Sequence, residues 1–567
     1  MSSGWRIYLL FALFLLVGFL IETRLFYWQI IKSSELVEAA QKQHWVSFEI
    51  LPKRGEILAS DGFPLAANKE AYLVFASLPD LKDDPARIAA KIAPFLAEEN
   101  QELETELQIK QRLERADLVW VPLKHKIPTE TKNQLEKLNL AGLGFEKESR
   151  RDYPEASSAA HLLGFVGSDI NGRDKGYQGL EGYYDLELKG RSGLLKREKD
   201  ASGRPILVGE TKQEKEYDGR SLLTTIDRAI QYLLEEKLML GLKRYGAKSG
   251  TIVIMEPRTG AILGMVSLPS YDPANYFEYD QQLFPNPAIA TAFEPGSIFK
   301  VLVMASALDT GVVKPETICD QCSGPRTISG YQIKTWNEKY FPNCNMIEVI
   351  QHSDNVGMVF VGEKLGSEKL VNYLKSFGIG EPTGIDLEEE GNPGLRPLND
   401  WKEIDLATAS FGQGVALTPL QMVRAVGAIA NQGKLVKPFV VSQLIGQDES
   451  VKITNPPAKE VIKPTTALTM TEILVNAVAN GEAKWAKPPG FKIAGKTGTA
   501  QIPIAGHYDK EKTIASFVGY APADNPKFVM LVTLQEPTSS PWGSETAAPL
   551  WFEIAQELFT YFGILPE

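Results

Sequence analysis

A serine and a lysine stand three residues apart in a segment that the sequence predicts to be helical. The segment reads TAFEPGSIFKVL over residues 291–302, and a Glu-Pro-Gly turn precedes the serine. Apolar residues recur at helical spacing over 297–308, which places Ser297 and Lys300 on one face with Cβ atoms roughly 5–6 Å apart. An ammonium kept out of water loses its proton readily and can then deprotonate a hydroxyl. Taken alone, a chance Ser-x-x-Lys in an amphipathic helix explains the pattern better than a nucleophile with its base.

Two further polar clusters follow along the chain. The first is SDN at residues 353–355, and the second is KTGT at residues 496–499, where an apolar strand leads to a glycine that leaves room for close approach. Each cluster alone is weak, because short motifs of this kind occur by chance in a chain of this length. The three motifs occur in one order, with the first opening a helix and the last closing a strand, and this makes joint chance the poorer explanation.

The elements that must position these clusters form a pattern typical of an α/β (α+β) layered domain. A strand leading into a long helix is predicted from residue 222, and a C-terminal helix over about 547–562. Apolar β runs joined at 258–260 and at 524–526 predict two hairpins. Strands near both ends of this half, with helices between them, predict one antiparallel sheet covered by helices.

The preceding half has a different texture. Residues 45–215 read as short strands and charged helices, one of them near 99–115 with a solvated face, and the Gly-rich stretch 164–182 is predicted to be a loop. The apolar run 7–21 is about 22 Å long as a helix, and the aromatic residues after it extend it toward the ~30 Å of a bilayer core. No small-residue cleavage site follows the run, which favours an uncleaved transmembrane anchor over a signal peptide. Basic residues flank the run on both sides, so they give little indication of its orientation in the membrane. The bulk of the chain is expected outside the cytoplasm because of the chemistry assigned to the polar clusters.

Composition limits the remaining possibilities. The chain has 567 residues and a formal net charge of −11, which predicts two to four domains and argues against a nucleic-acid partner. Its three cysteines are too few for a disulfide framework. Cys319, Cys322, Cys344 and His352 form a candidate zinc set, and a disulfide between two of the cysteines or three unrelated thiols are the alternatives.

The sequence closely resembles the class B penicillin-binding proteins, the monofunctional D,D-transpeptidases of bacterial cell-wall synthesis. Beyond the three motifs above, the resemblance rests on RGEI at 54–57, RDYP at 151–154, His161, Gly164, GLE at 179–181 with Asp185, FGQG at 411–414 and TPLQ at 418–421. Ala59-Ser60 replaces the usual Asp-Arg pair, and Ile298 stands where threonine is common. The resemblance implies an anchor over 1–31, an elongated non-catalytic pedestal over 32–215, and a transpeptidase domain of serine β-lactamase-like fold over 216–567.

The resemblance also implies a role for each site residue. Ser297 is the nucleophile, Lys300 the general base, Ser353 a proton relay, and Asn355 a holder of Lys300 and of the substrate backbone. Lys496, Thr497 and Thr499 bind the substrate carboxylate, and Gly498 is a further substrate-binding residue. The backbone N–H groups of Ser297 and Thr499 form the oxyanion hole. The substrates are peptidoglycan stem peptides, with β-lactams as acylating mimics and no cofactor beyond the zinc candidate. The implied partner is a polytopic glycosyltransferase of the shape, elongation, division and sporulation family in the bacterial inner membrane.

Three other functions are compatible with parts of this pattern. A β-lactamase shares the three motifs, but it has no use for an anchored pedestal of nearly 200 residues. A bifunctional class A synthase needs a glycosyltransferase domain, and no Glu-Asp-x-x-Phe motif for one is present. A catalytically silent scaffold of a division or elongation complex is the third alternative, against which the intact motifs argue.

Overall fold

The computed structural model describes residues 4–98, 100–115, 117–155, 159–170, 172–198, 211–447, 449–504 and 507–566. The chain folds into two units. One combines Met1–Lys53 with Gly190–Gly219, and the other combines Arg54–Lys189 with Arg220–Glu567.

The first unit begins with an apolar helix. Helix α1 spans Gly4–Phe26 and continues through one π-helical turn, Tyr27–Ile31, before α2 (Ser33–His44) and strand β1 (Trp45–Ile50). The stretch Gly4–Ile31 is long and apolar enough to cross a membrane, and none of it is buried in the protein. Length and composition are therefore those predicted for the anchor.

The second unit begins with the region predicted to be the pedestal. Its elements are β2 Ile57–Leu58, β3 Pro64–Ser77, α3 Pro85–Leu96, α4 Glu102–Leu113, β4 Trp120–Pro128, α5 Thr129–Glu136, β5 Leu143–Asp152, α6 Ala160–Leu163, β6 Phe165–Ser168, β7 Asp174–Tyr177, α7 Gly179–Tyr183 and α8 Asp185–Leu188. The predicted charged helix is α4, although its Ile109 and Leu113 are buried in a local core. The prediction of a loop over 164–182 was wrong, because β6 and β7 pair as a hairpin and α7 follows.

Strands β8 (Gly193–Glu198) and β9 (Thr211–Glu214) return to the first unit, where they pair antiparallel in the order β1-β8-β9. The remaining elements belong to the second unit. They are β10 Ser221–Thr224, α9 Arg228–Tyr245, β11 Ser249–Met255, β12 Ile262–Leu268, α10 Pro287–Ala290, α11 Lys300–Thr310, β13 Arg326–Ile328, β14 Tyr331–Ile333, α12 Met346–Gln351, α13 Asn355–Leu365, α14 Ser367–Ser376, α15 Glu403–Ala409, α16 Pro419–Ala430, β15 Lys434–Leu435, β16 Val441–Ile445, β17 Ser450–Lys452, β18 Lys459–Glu460, α17 Pro464–Asn480, β19 Ala494–Ile504, β20 His507–Ala521, β21 Phe528–Gln535 and α18 Ala547–Tyr561.

A five-stranded sheet carries the site. Its order is β12-β11-β21-β20-β19, and every pairing is antiparallel, so both predicted hairpins and the predicted helix-covered sheet are confirmed. Strand side chains alternate between faces, and the sheet is buried on both. On β11, Ile252 and Ile254 join the core formed with α9 and α18, while Val253 and Met255 join the core formed with α11, α16 and α17. This double burial explains why β11 reads as a continuous apolar run.

A buried ion cluster joins segments of the predicted pedestal that are distant in sequence. The Arg54 guanidinium bonds Glu181 (Nε to Oε2, 2.7 Å) and Asp185 (Nη1 to Oδ1, 2.8 Å), and Arg151 Nε bonds Glu181 Oε1 at 2.6 Å. Glu181 is fully buried, so both of its oxygens depend on these arginines. The residues come from three separate motifs of the family resemblance, which the fold brings together.

Hydrogen bonds also tie this region to the site-bearing domain. The Tyr184 hydroxyl donates to Asp386 Oδ2 (2.9 Å), whose carboxylate also accepts from the backbone N–H groups of Val440 and Val441. The backbone N–H of Gln178 donates to Glu388 Oε2 at 2.6 Å. The segment 178–184 is therefore fastened to the loop that carries Asp386 and Glu388.

Candidate active site

The serine of the first motif lies on a tight turn, which is held in place by a close backbone contact between two glycines. The turn is a 3₁₀ helix, Gly296–Phe299, and α11 begins only at Lys300, so the predicted single helix over 297–308 has a tighter first turn. Gly296 has a φ of +55° and its N–H donates to the Gly412 carbonyl (3.1 Å). A Cβ on Gly412 would lie 2.1 Å from the Gly296 oxygen, so this approach requires glycine. Ser297 is half-buried at the surface of this turn.

Lys300 points into the protein from the start of α11. Its side chain is fully buried, and Nζ donates to the Ser353 carbonyl (2.6 Å), Asn355 Oδ1 (2.8 Å) and Ser353 Oγ (3.3 Å). Burial and the like charge of Lys496 lower the pKa of Lys300 to about 7, against the opposing pull of Asp354 and Glu482. The amine is therefore poised to exchange a proton near neutral pH.

The second motif forms the turn between α12 and α13. Ser353 adopts a left-handed conformation with φ +53°, which is uncommon for a residue with a side chain. Asp354 fixes the turn by capping α13, since its Oδ1 accepts from the N–H groups of Val356 (2.8 Å) and Gly357 (3.2 Å). Burial raises the pKa of this carboxyl group. The turn presents Ser353 and Asn355 to the Lys300 amine.

The third motif lies on β19, the edge strand of the sheet. The sequence predicts that KTG closes its strand, but β19 begins at Ala494 and continues past Thr499 to Ile504, paired with β20. That part of the prediction was wrong because polar residues on an edge strand interrupt the apolar pattern without ending the ladder. A Cβ on Gly498 would lie 2.9 Å from Ile298 Cγ2, so the strand passes directly against the nucleophile turn.

The side chains of the third motif are already hydrogen-bonded. Lys496 is buried, and its Nζ donates to the Thr497 carbonyl (3.2 Å) and to Thr497 Oγ1 (3.1 Å). The Thr497 hydroxyl donates in turn to Glu482 Oε2 at 2.9 Å. Thr499 Oγ1 accepts from the Gly543 N–H at 3.0 Å. Burial lowers the pKa of Lys496, and the Glu482 charge opposes this shift.

The fold therefore gathers residues from three distant parts of the chain. Lys300 contacts Ser353 and Asn355 directly, and Ser297 is one turn away in the same helical segment. The strand with Lys496 joins them through the contact of Gly498 with Ile298. A buried amine, a serine on a fixed turn and a buried second lysine can together carry out nucleophilic acyl transfer to a substrate with a carboxylate.

Sequence reasoning assigned no role to three contributors to this arrangement. Glu482 lies 15 residues before Thr497, and Asp354 was noticed only as part of the SDN motif. The Lys334 carbonyl accepts from Asn355 Nδ2 (3.0 Å) and so fixes which face of the amide meets Lys300. An Asp before a predicted helix is a capping signal that could have revealed Asp354. No sequence pattern points to the other two, since tertiary folding alone brings them here.

The three cysteines are close together and buried. Cys319 and Cys322 form a disulfide, Cys344 has a free thiol, and the three sulfurs lie within 4.8 Å of one another. Burial and the carboxylates of Asp354 and Glu348 raise the pKa of the metal-free Cys344 thiol to about 12. His352 stacks on Phe341 and is not part of the sulfur group. The zinc hypothesis stays a prediction that requires the disulfide to be reduced first.

Two protein families match the two parts of this chain. The family described as penicillin binding protein transpeptidase domain matches residues 250–558, and the family described as penicillin-binding protein dimerisation domain matches residues 49–224. The chain belongs to the class B penicillin-binding proteins. The predicted family, the mixed α/β fold and the enzyme class of serine transpeptidase are thus confirmed. The predicted boundaries at residues 31 and 215 stay predictions.

Relatives of this penicillin-binding protein extend over nearly the whole chain. It is 34% identical to the stage V sporulation protein D of Bacillus subtilis over 98% of this chain and 86% of that protein. It is 29% identical to a probable peptidoglycan D,D-transpeptidase PenA of Neisseria gonorrhoeae, over 100% of this chain and 94% of that protein. Its fold is similar to that of penicillin binding protein 3 of Mycobacterium tuberculosis in complex with aztreonam (TM-score 0.70, 24% identity, 92% of this chain and 98% of that one).

Proposed function

We propose that this penicillin-binding protein is a D,D-transpeptidase that crosslinks peptidoglycan stem peptides through an acyl-enzyme on Ser297. The observation that carries the proposal is the buried Lys300 amine, held by Ser353 and Asn355 one helical turn from Ser297. Relatives named as peptidoglycan D,D-transpeptidases support the substrate class. The site is thus assigned to acyl transfer at the bond between two D-alanines.

Acylation begins when Lys300, as a neutral amine, takes the proton of the Ser297 hydroxyl. The Ser297 oxygen then bonds the carbonyl carbon of the penultimate D-alanine, and the backbone N–H groups of Ser297 and Thr499 receive the oxyanion, a contribution of about 3–4 kcal/mol. Ser353 passes its proton to the nitrogen of the terminal D-alanine as the peptide bond breaks, and it recovers a proton from the Lys300 ammonium. The products are an ester on Ser297 and free D-alanine.

Binding before this step depends on the remaining residues. The Lys496 ammonium and the Thr499 hydroxyl receive the terminal carboxylate, with Gly498 leaving room on the strand. Asn355 holds Lys300 through Oδ1 and faces the substrate backbone. Thr497 belongs to the same predicted carboxylate site, and its hydroxyl accepts from Lys496 and donates to Glu482.

Deacylation completes the crosslink. The amine of a neighbouring stem peptide attacks the ester, loses a proton to Lys300, and releases the Ser297 oxygen, which recovers a proton. Water in place of the amine gives carboxypeptidase activity as a side reaction. A β-lactam opens on Ser297 in the same way and leaves an acyl-enzyme with no departing group.

The test is labelling of the full-length protein in detergent with a fluorescent penicillin. Wild type is expected to carry a durable covalent label and Ser297→Ala to carry none. Ser306→Ala is the matched control, because Ser306 lies on the same helix and its hydroxyl donates to the Leu302 carbonyl. Labelling of Ser297→Ala at the wild-type level would contradict the proposal. Absence of label from folded wild type would point to a scaffold, and rapid loss of the label to a β-lactamase.

We further propose that α1 anchors the protein in the bacterial inner membrane with the catalytic domain outside the cytoplasm. The apolar surface of Gly4–Ile31, none of which is buried in the protein, supports a lipid environment for this helix. Retention of the protein in the membrane fraction after alkaline carbonate extraction, and its release on deletion of residues 4–31, are the expected results. Recovery of the full-length chain in the soluble fraction would contradict the anchor.

We also propose a polytopic glycosyltransferase of the shape, elongation, division and sporulation family as the membrane partner. Membership of the class B penicillin-binding proteins and the apolar α1 support this proposal. A photoreactive amino acid placed along α1 is expected to crosslink to such a protein in cells. Crosslinks to lipid alone would contradict it.

A further inference from the structure

A glutamate reaches the substrate-carboxylate end of the site from outside the three motifs. Glu482 lies in the turn after α17, and its Oε2 accepts the Thr497 hydroxyl at 2.9 Å. The same hydroxyl oxygen accepts from Lys496 Nζ at 3.1 Å. One threonine oxygen thus joins an ammonium and a carboxylate, and Nζ and Oε2 are no more than 6.0 Å apart.

The hydrogen bonding of the other Glu482 carboxylate oxygen is unusual. Glu482 Oε1 is buried and has no hydrogen-bond partner among the described residues. A buried, ionised carboxylate oxygen without a partner is costly unless a nearby positive charge compensates it. The Glu482 charge acts on Lys496 on β19 and on Lys300 on α11.

Four ionisable groups, three of them buried and Glu482 half-buried, therefore act on one another in this site. Lys496 and Lys300 carry the positive charges, and Glu482 and Asp354 carry the negative ones. Asp354 acts on Lys300, while Glu482 acts on both lysines and is the carboxylate linked to Lys496. Without Glu482, Lys300 and Lys496 would lose the carboxylate whose charge acts on both of them, and both would lose protons more readily.

We propose that Glu482 is a positioning residue that fixes the Thr497 hydroxyl and keeps Lys496 protonated, so that Lys496 can receive the substrate carboxylate while Lys300 acts as the neutral base. This inference rests on the proposed transpeptidase function and assigns the electrostatic control of that site. Glu482 touches neither the nucleophile nor the scissile bond in this assignment. It acts through Lys496 and Thr497.

The charge can be removed with little change of shape. Glu482→Gln keeps an oxygen that accepts the Thr497 hydroxyl but eliminates the negative charge. Acylation of full-length protein by a penicillin is measured as a second-order rate constant between pH 5 and pH 10. Because Glu482 favours the protonated form of both lysines, both limbs of the bell-shaped profile are expected to move to lower pH, by about one pH unit or more for the alkaline limb that reports Lys496.

Two further variants separate charge from shape. Glu482→Asp retains the charge and is expected to return both limbs toward their wild-type positions. Glu472→Gln is the matched control, since Glu472 is an exposed glutamate on α17, and its profile should superimpose on the wild type. Glu482→Ala serves as a second charge-deleting variant and must move the limbs in the same direction as Glu482→Gln.

The possible outcomes are distinct from those of the labelling test. A Glu482→Gln profile that keeps both limbs in place and changes only in height would overturn the inference, as would loss of folding in both charge-deleting variants, which would assign Glu482 a structural role. If wild type is not acylated at all, the proposed function fails. The effect of Glu482 on Lys496 is then measured by calorimetry, as the pH dependence of the affinity for N-acetyl-D-Ala-D-Ala. Equal pH dependence in wild type and Glu482→Gln would overturn the inference.

Discussion

At the scale of single residues, the protonation state of Lys300 decides what the site can do. A charged lysine has three N–H donors, and a neutral one has two donors and a lone pair. The Ser353 carbonyl and Asn355 Oδ1 are the two shortest acceptors, at 2.6 Å and 2.8 Å, and they satisfy both hydrogens of the neutral amine. The lone pair is then left for a hydroxyl proton, which is the arrangement that a general base requires.

The pH dependence of acylation tests the assignment of Lys300 as the general base. Because burial and Lys496 lower the pKa of Lys300 to about 7, its neutral form is lost as pH falls through 7. Acylation by penicillin is expected to fall about tenfold per pH unit below that value, and Lys300→Met to lower the rate on the order of 10²–10⁴-fold. Stopped-flow acylation rates against pH provide the measurement.

The exposed Lys364→Met on α13 is the control for loss of a lysine charge, with an expected wild-type profile. An acid limb near pH 10, the range of an ordinary lysine, would show that Lys300 is not the base.

At the scale of elements, close backbone approaches hold the nucleophile against the strand. Gly412 contacts the Gly296 carbonyl, and Gly498 lies between Ser516 on β20 and Ile298 on the nucleophile turn. A Cβ on Gly498 would be 2.4 Å from Ser516 Oγ and 2.9 Å from Ile298 Cγ2. The turn and β19 can therefore lie this close only because Gly498 has no side chain. The geometry of the predicted oxyanion hole depends on this distance.

Gly498→Ala is expected to displace the turn from β19 by a fraction of an ångström and to slow acylation on the order of 10–100-fold. The protein should still fold, because Ser516 and Ile298 can move slightly to accommodate a methyl group. Penicillin acylation rates and thermal melts measure the two effects separately. Gly324→Ala, at a glycine with open space around it, should change neither. A Gly498→Ala protein with wild-type acylation would show that this spacing is not critical.

At the scale of the whole molecule, the buried ion cluster links regions that are distant in sequence. Arg54 and Glu181 are 127 residues apart, and α7, which carries Glu181, lies in the segment fastened to Asp386 and Glu388 of the site-bearing domain. A buried ion pair of this kind contributes little net stability, but loss of one partner leaves buried charges uncompensated. The cluster therefore fixes the arrangement of these segments rather than adding much to the free energy of folding.

Glu181→Gln leaves Arg54 and Arg151 without their shared counterion and is expected to lower the free energy of unfolding by about 3–5 kcal/mol. Denaturant unfolding of the full-length protein in detergent measures this change. Glu136→Gln removes an exposed partner of Lys132 and should cost under about 1 kcal/mol. Equal effects of the two substitutions would show that the cluster around Glu181 is not under electrostatic constraint.

The sequence alone determined the features that local patterns carry. Apolar periodicity predicted the hairpins β11–β12 and β20–β21 and helix α18, and motif order predicted the family and the residues now found around Lys300. The sequence failed where structure is short or strained. The β6–β7 hairpin is too short and too rich in glycine for a periodic signal, and the 3₁₀ turn before α11 follows from the contact of Gly296 with Gly412.

Only the tertiary structure decided the electrostatics of the site. A pKa depends on burial and on the charges that surround the group, and sequence spacing reports neither across long distances. The burial of Lys300 and Lys496 and the contact of Glu482 with Thr497 arise when α11, α17 and β19 pack together. The sequence supplied the reacting groups, and packing set the protonation states in which they react.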